Sequence, residues 1–266
     1  MTGTAVITIT HRRDDHLRRQ RLGLAADPPD LHVIVAMDDV PEVDPVPGLE
    51  TVLVHVGASE RGLPLAAARN AGAAAALAAG VELLVFLDVD CIPGPSLVSR
   101  YADVRVSGPA LLCGPVAYLP PAADYPVSGL SELAEMHPGR PAPDPGVVLV
   151  EKRFELFWSL SFAVRAGDWA ALGGFFEGYV GYGAEDTDFA LTWAAGGAGL
   201  YWVGGAEAYH QYHPPTRLDP GRAGEIVRNC WTFRERQGYW PMRSWLDELA
   251  ALGIVEFDGV DVLRIV

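Results

Sequence analysis

Short aliphatic and β-branched runs alternate with helix-like segments through the first ninety residues, and this alternation constrains the fold more than any other feature of the chain. "AVITIT" leads into the charged segment "DDHLRRQRLGLAA", then "LHVIVAM" and "TVLVHV", then the alanine-rich "LPLAAARNAGAAAALAAG" and "ELLVFLDVD". Strand, helix and strand in that order predict an α/β chain whose central sheet is mostly parallel and flanked by helices. Sheets of that kind collect ligands at the carboxyl ends of their strands. Three such ends carry polar groups here: Thr10 and Arg12, Asp38 and Asp39, and Asp88 and Asp90. A common crevice lined by these residues is the first expectation for a site.

With 266 residues, half of them hydrophobic, the chain can bury a full-sized core. Its 34 acidic against 20 basic residues give a net charge of -14, which argues against a nucleic-acid partner. Cys91, Cys113 and Cys230 have no zinc-like spacing and are odd in number, so they read as reduced thiols. The N-terminus lacks the basic and apolar blocks of a secretion signal. The run 71–87 is alanine-rich, carries Glu82 and meets a helix-stopping Gly80, so it reads as helix, turn and strand and not as a membrane span. The expected location is cytoplasmic, with peripheral membrane association as the alternative.

Further along, 115–147 concentrates proline and glycine without a sustained period and reads as a long loop, a candidate lid. Order resumes with the strand-rich "VVLVEKRFELFWSLSFAVR" and a short helix. "GYGAEDTDFALTWAAGG" follows as a loop entering a helix whose first turn holds Glu185, Asp186 and Asp188. The expected organisation is a catalytic unit over 1–217, divided at 114 and 147, and an extension over 218–266. That extension contains the amphipathic helix "PMRSWLDELAALG" and a hairpin turning at Asp258-Gly259.

The chemistry starts with Asp88 and Asp90. Aspartate is a poor strand former, and period-two geometry would put both carboxylates on one side, where they repel unless a cation intervenes. His210 and His213, three apart in "YHQYH", can turn two imidazoles the same way. Carboxylate and imidazole together suit Mn²⁺ better than Ca²⁺. Arg69 and Asn70 interrupt an alanine-lined helix, and with Arg12 they offer donors for a diphosphate. Trp158, Tyr179, Tyr182 and Trp202 offer aromatic ring faces on which a ligand could stack.

In their order, "AVITITHR", "ARNAG", "LVFLDVDCIP" and "LGGFFEGYVGYGAEDTDFALT" resemble the blocks of family 2 GT-A glycosyltransferases, as far as about Pro215. The last block is similar to the C-terminal segment of β-1,4-galactosyltransferases, with Tyr182 and Ala184 where those enzymes usually have tryptophan and glycine. The resemblance implies a Rossmann-like GT-A fold with a small C-terminal helix and hairpin. It implies a hexosyltransferase that moves a sugar with inversion from a nucleoside diphosphate sugar, UDP-linked by preference, to a hydroxyl of a carbohydrate, lipid or small molecule. Asp186 would be the catalytic base. Asp90 would bind the metal, Mn²⁺ with Mg²⁺ as second choice, together with His210, His213 or both. Asp88 would contact the ribose, or the metal through water. Thr10, Arg12, Asp38, Arg69 and Asn70 would bind the nucleotide, and Glu185, Tyr182 and Trp158 the acceptor. A homo-oligomer is compatible with this reading. A binding module that has lost catalysis is the alternative, and a sugar nucleotidyltransferase is disfavoured because no glycine-rich phosphate loop follows the first strand.

Overall fold

The structure is a computed structural model describing residues 3–122, 124–126, 128–214 and 220–266. The expected 217/218 boundary therefore lies outside the described residues. The first half builds β1 (Thr4–Thr10), α1 (Asp14–Leu24), β2 (Leu31–Met37), β3 (Thr51–Val56), α2 (Leu65–Ala78), β4 (Leu83–Leu87), β5 (Cys91–Pro93) and α3 (Leu97–Asp103). Next come β6 (Ala110–Cys113), β7 (Val116–Tyr118), β8 (Glu135–Met136), β9 (Val148–Glu151), β10 (Ser161–Arg165), α4 (Ala166–Leu172), α5 (Glu185–Ala195), β11 (Gly199–Val203) and β12 (Ala208–His210). The C-terminal part holds α6 (Pro220–Gln237), α7 (Arg243–Ala251), β13 (Val255–Phe257) and β14 (Leu263–Ile265).

Eight strands form the central sheet in the order β3-β2-β1-β4-β10-β6-β11-β9. Only β9 and β10 run against the other six, so the mostly parallel α/β sheet expected from the alternation is present. β1, β2 and β4 are buried along their whole length, as continuous aliphatic strands covered on both faces should be. On one face α2 lies close on β1 and β2 at Gly72, where a Cβ would come within 2.4 Å of Ile7. The same core holds an aromatic cluster around Phe86, Phe162, Phe175, Phe189 and Trp193. α3 covers the other face through Leu97, Val98 and Tyr101.

The expected loop over 115–147 is corrected in part. It supplies β7 and β8 to a second sheet, β5-β12-β7-β8, which lies at the carboxyl end of β4. These strands are only two and three residues long, too short to leave a period among the prolines. α6 is an 18-residue helix that the sequence reading did not name. Its buried positions are Ala223, Ile226, Asn229, Cys230 and Phe233, correctly spaced for a helix face but interrupted by a polar residue and a small one. Among the described residues no helix is long and apolar enough to cross a membrane.

Candidate active site

The small sheet brings the distant ligand candidates together. β4 stops at Leu87, so Asp88 and Asp90 lie in a turn and not in a strand, and they have different partners. β12 pairs antiparallel with β5 in a register that sets His210 opposite Cys91, and the Gln211 N–H donates to the Asp90 carbonyl at 2.7 Å. In consequence His210 Nε2 stands 3.6 Å from Asp90 Oδ1, and His213 Nε2 stands 3.3 Å from Asp90 Oδ2. The three side chains offer ligand atoms within 4.8 Å of one another, a set that could hold a metal ion. Burial works against ionised Asp90, but the His213 hydrogen bond and the two imidazoles hold its carboxyl down at about 2. Burial likewise lowers His210, favouring the neutral imidazole that metals bind.

Gln20, fully buried on α1, fixes the turn: its amide donates to the carbonyls of Asp88 at 2.8 Å and Cys91 at 3.1 Å, and its oxygen accepts from Thr8 at 2.8 Å. A glutamine in a charged helix gives no sign of this role in the sequence.

Asp88 belongs to a second cluster. Arg69, 4% exposed, donates to Asp88 and to Glu185, each at 3.2 Å. Burial dominates this cluster: it pushes Asp88 up to about 6 against the pull of the Arg69 charge. Asp186, beside Glu185 at the start of α5, is pushed up to about 7 by burial and next by the Glu185 charge. Ala184, just before them, has φ 72. Glycine would be unstrained there, and strained backbone of this kind gathers at functional sites. Arg12 and Asp38, at the ends of β1 and β2, are left-handed as well, with φ 51 and 69.

The remaining candidates divide. Thr10 Oγ1 is buried with no hydrogen-bond partner among the described residues. Arg12 pairs with Asp39 at 2.6 Å on the exposed rim, and Asp38 is exposed. Asn70 is engaged elsewhere: its amide donates to Phe175 O and Glu177 and accepts from Phe175 N, clasping the 175–177 loop to α2. Trp202 and Tyr179, 0% and 1% exposed, are core residues whose faces no sugar can reach. Trp158 stands in an aromatic row running from His210 to Tyr118 at 4.9 Å, to His137 at 5.9 Å and on to Trp158 at 4.9 Å. Its ring contacts are on the side of the metal-ligand set, and the 115–147 segment supplies the two rings between. A cavity of about 620 Å³ opens at the N-terminal end of α1, lined by Arg12, Arg13, His16, Arg19, Tyr125 and Gln211 among others. Arg13, His16 and Arg19 were not among the sequence candidates.

Arg140 lies between Trp158 and Trp202, 4.7 Å from each ring centroid. Its three guanidinium nitrogens are buried and have no acceptor among the described residues, and burial draws its pKa down. A desolvated cation without an anion is costly, and the two ring faces offset only part of that cost. Arg140→Met should therefore raise Tm by roughly 2–6 °C in thermal melts. A lower Tm would mean that the cation-π contacts outweigh desolvation.

This arrangement of sheet, helices and carboxyl-end crevice is the GT-A fold of glycosyltransferases. GalNAc-T7, crystallised with UDP, GalNAc and Mn²⁺, superposes with a TM-score of 0.51 at 14% identity, covering 94% of this chain and 57% of that one. TarS of S. aureus gives 0.52 at 13% identity, covering 91% and 45%. In sequence, the chain is 27% identical over 274 residues to validoxylamine A glucosyltransferase of Streptomyces hygroscopicus subsp. limoneus, covering 91% of this chain and 58% of that protein. The chain thus spans less than two thirds of each of these relatives. No family model matches the sequence.

Proposed function

We propose that the protein transfers a sugar from a nucleoside diphosphate sugar to a hydroxyl group, with inversion at the anomeric carbon and with a divalent cation held by Asp90, His210 and His213. One observation carries this reading: a two-histidine, one-carboxylate set and a carboxyl held near neutral pKa, Asp186, both stand by the turn that ends β4. The set fits the cation chemically: once His213, which its hydrogen bond to Asp90 holds above the ordinary imidazole range, gives up its proton, two imidazole nitrogens and one carboxylate leave coordination positions for phosphate oxygens and water, which Mn²⁺ accepts. When bound, the cation would neutralise charge on the departing diphosphate. GalNAc-T7 with its UDP and Mn²⁺ makes UDP and Mn²⁺ the first pair to test. The name of the sequence relative makes glucose the first sugar and validoxylamine A the first acceptor to test.

The chain's own residues then have distinct tasks. Asp186, ionised, takes the proton of the acceptor hydroxyl as that oxygen bonds to the anomeric carbon and the bond from that carbon to the diphosphate breaks. Glu185, held by Arg69, accepts a hydrogen bond from another acceptor hydroxyl in this reading. Asp88, Thr10 and the cavity beside α1, where three arginines stand among Asp14 and Asp15, serve the nucleotide end of the donor. Trp158 and the His137–Tyr118 row wall the crevice beside the histidines and help to exclude water.

Thermal-shift titration with UDP, GDP, dTDP and CDP, each with and without Mn²⁺, tests the reading. UDP at 100 times its Kd should stabilise by about 2.7 kcal/mol, and only with metal. Asp90→Asn should remove that metal-dependent increment. Stabilisation by none of the four nucleotides would sink the proposal.

A further inference from the structure

The loop that enters α5 is built jointly with the C-terminal extension. Glu225 of α6 accepts the Tyr182 N–H at 3.0 Å, and Asn229 donates to the Tyr182 carbonyl at 3.2 Å. A Cβ on Gly181, at φ 83, would meet the Glu225 carboxylate within 2.7 Å, so Glu225 occupies the space that the missing side chain leaves. One turn into α5, Arg236 donates to both oxygens of Asp188 at 3.0 Å and Gln237 donates at 2.7 Å. The extension has a core of its own, around Ile226, Trp240, Leu246 and Leu249, and Tyr182 packs against it.

The Tyr182 ring lies parallel to Trp245 of α7, with centroids 5.9 Å apart and planes 5° apart, and the Arg222 guanidinium carbon stands 5.2 Å from its centroid. Tyr182 and Trp245 are both only half-buried, so part of this surface faces solvent. It adjoins the acids: burial, and next the charges of Glu185 and Asp186, push the Tyr182 phenol up. The stacked rings cover the faces they turn toward each other, and the Arg222 guanidinium lies over the Tyr182 ring, so the aromatic face left for the C–H side of a sugar is the Trp245 face turned away from Tyr182, with the guanidinium nearby for its hydroxyls.

We infer that the C-terminal extension supplies part of the acceptor site, with Trp245, backed by Tyr182, forming a platform for a carbohydrate ring whose hydroxyl reaches Asp186, and Arg222 selecting among such rings. This rests on the transferase reading above. The extension then acts twice, since Glu225 and Asn229 position the loop and Trp245 touches the acceptor.

The test uses the full chain with UDP-glucose, Mn²⁺ and a panel of p-nitrophenyl glycosides, and it reads both transfer and calorimetric binding of each glycoside. Trp245→Ala should weaken glycoside binding and raise the acceptor KM by roughly tenfold or more, with donor KM changed less than twofold. Trp245→Phe should recover most of the loss, which separates the platform from simple misfolding. An unchanged acceptor KM in Trp245→Ala, a parallel rise in donor KM, or a wild type that binds no glycoside would overturn the inference. A wild type that binds glycosides at Trp245 but consumes no sugar nucleotide would leave the platform standing and overturn the transferase reading.

Discussion

Asp186→Asn should lower the transfer rate by about 10²–10⁴-fold while leaving donor binding intact. The amide is isosteric and can keep the Thr187 N–H bond that Asp186 Oδ1 accepts at 2.7 Å, so the loop should stay in place. The pH dependence follows from the environment of the group. Burial, and after it the Glu185 charge, hold Asp186 up at about 7, and only the ionised form can take a proton. Wild-type kcat/KM should rise with pH and level off above about 7. The stability effect has the opposite sign. A carboxyl raised in the folded state favours folding most at low pH, and that contribution fades as pH climbs from the ordinary carboxylate range through about 7. Asp186→Asn does not titrate, so its Tm should match wild type near pH 4 and exceed it at pH 8. A residue whose removal abolishes transfer yet stabilises the fold is one kept for chemistry. Equal turnover in the variant would remove Asp186 from the base role.

The large elements were legible because their signals are local. Continuous aliphatic runs marked β1, β2 and β4, and the turn after Leu87 was visible as two aspartates where a strand should not carry them. The histidine pair was visible as a spacing, but its union with Asp90 depends on the β5–β12 register, a pairing between three-residue strands about 120 positions apart that no local pattern records. Gln20 was missed for the same reason, since its partners are backbone carbonyls whose position only the tertiary fold sets. Asn70 shows the converse. Beside Arg69 it read as a ligand donor, whereas its amide closes a loop more than a hundred residues later. The extension gave a readable amphipathic helix at α7, but nothing in its pattern marks Trp245, whose stacking on Tyr182 depends on how α6 and α7 meet the loop before α5.

Arg69→Met should cost about 3–5 kcal/mol, the largest stability loss expected from any single substitution in the crevice, and lower Tm by roughly 10 °C. Arg69 is nearly inaccessible and bridges two carboxylates from opposite halves of the chain, Asp88 after β4 and Glu185 at the start of α5. Its guanidinium carbon also stands 5.3 Å from the Phe175 ring centroid. The bond to each acid is charge-assisted, and a planar fork can reach both at once, which a lysine ammonium at the same position cannot do as well. Arg69→Lys should therefore fall between wild type and methionine. In Arg69→Met the two acids remain, with Asp186 next to them, and their mutual repulsion is relieved only by protonation. The deficit should accordingly grow as pH rises through the raised carboxyls at about 6 and 7, and shrink in acid. Adding Asp88→Asn and Glu185→Gln to Arg69→Met should recover much of the loss, because the orphaned charges are then gone. If the triple variant melts as low as Arg69→Met alone, the arginine acts through packing against Phe175 and not as the cation that allows three acids to share one crevice.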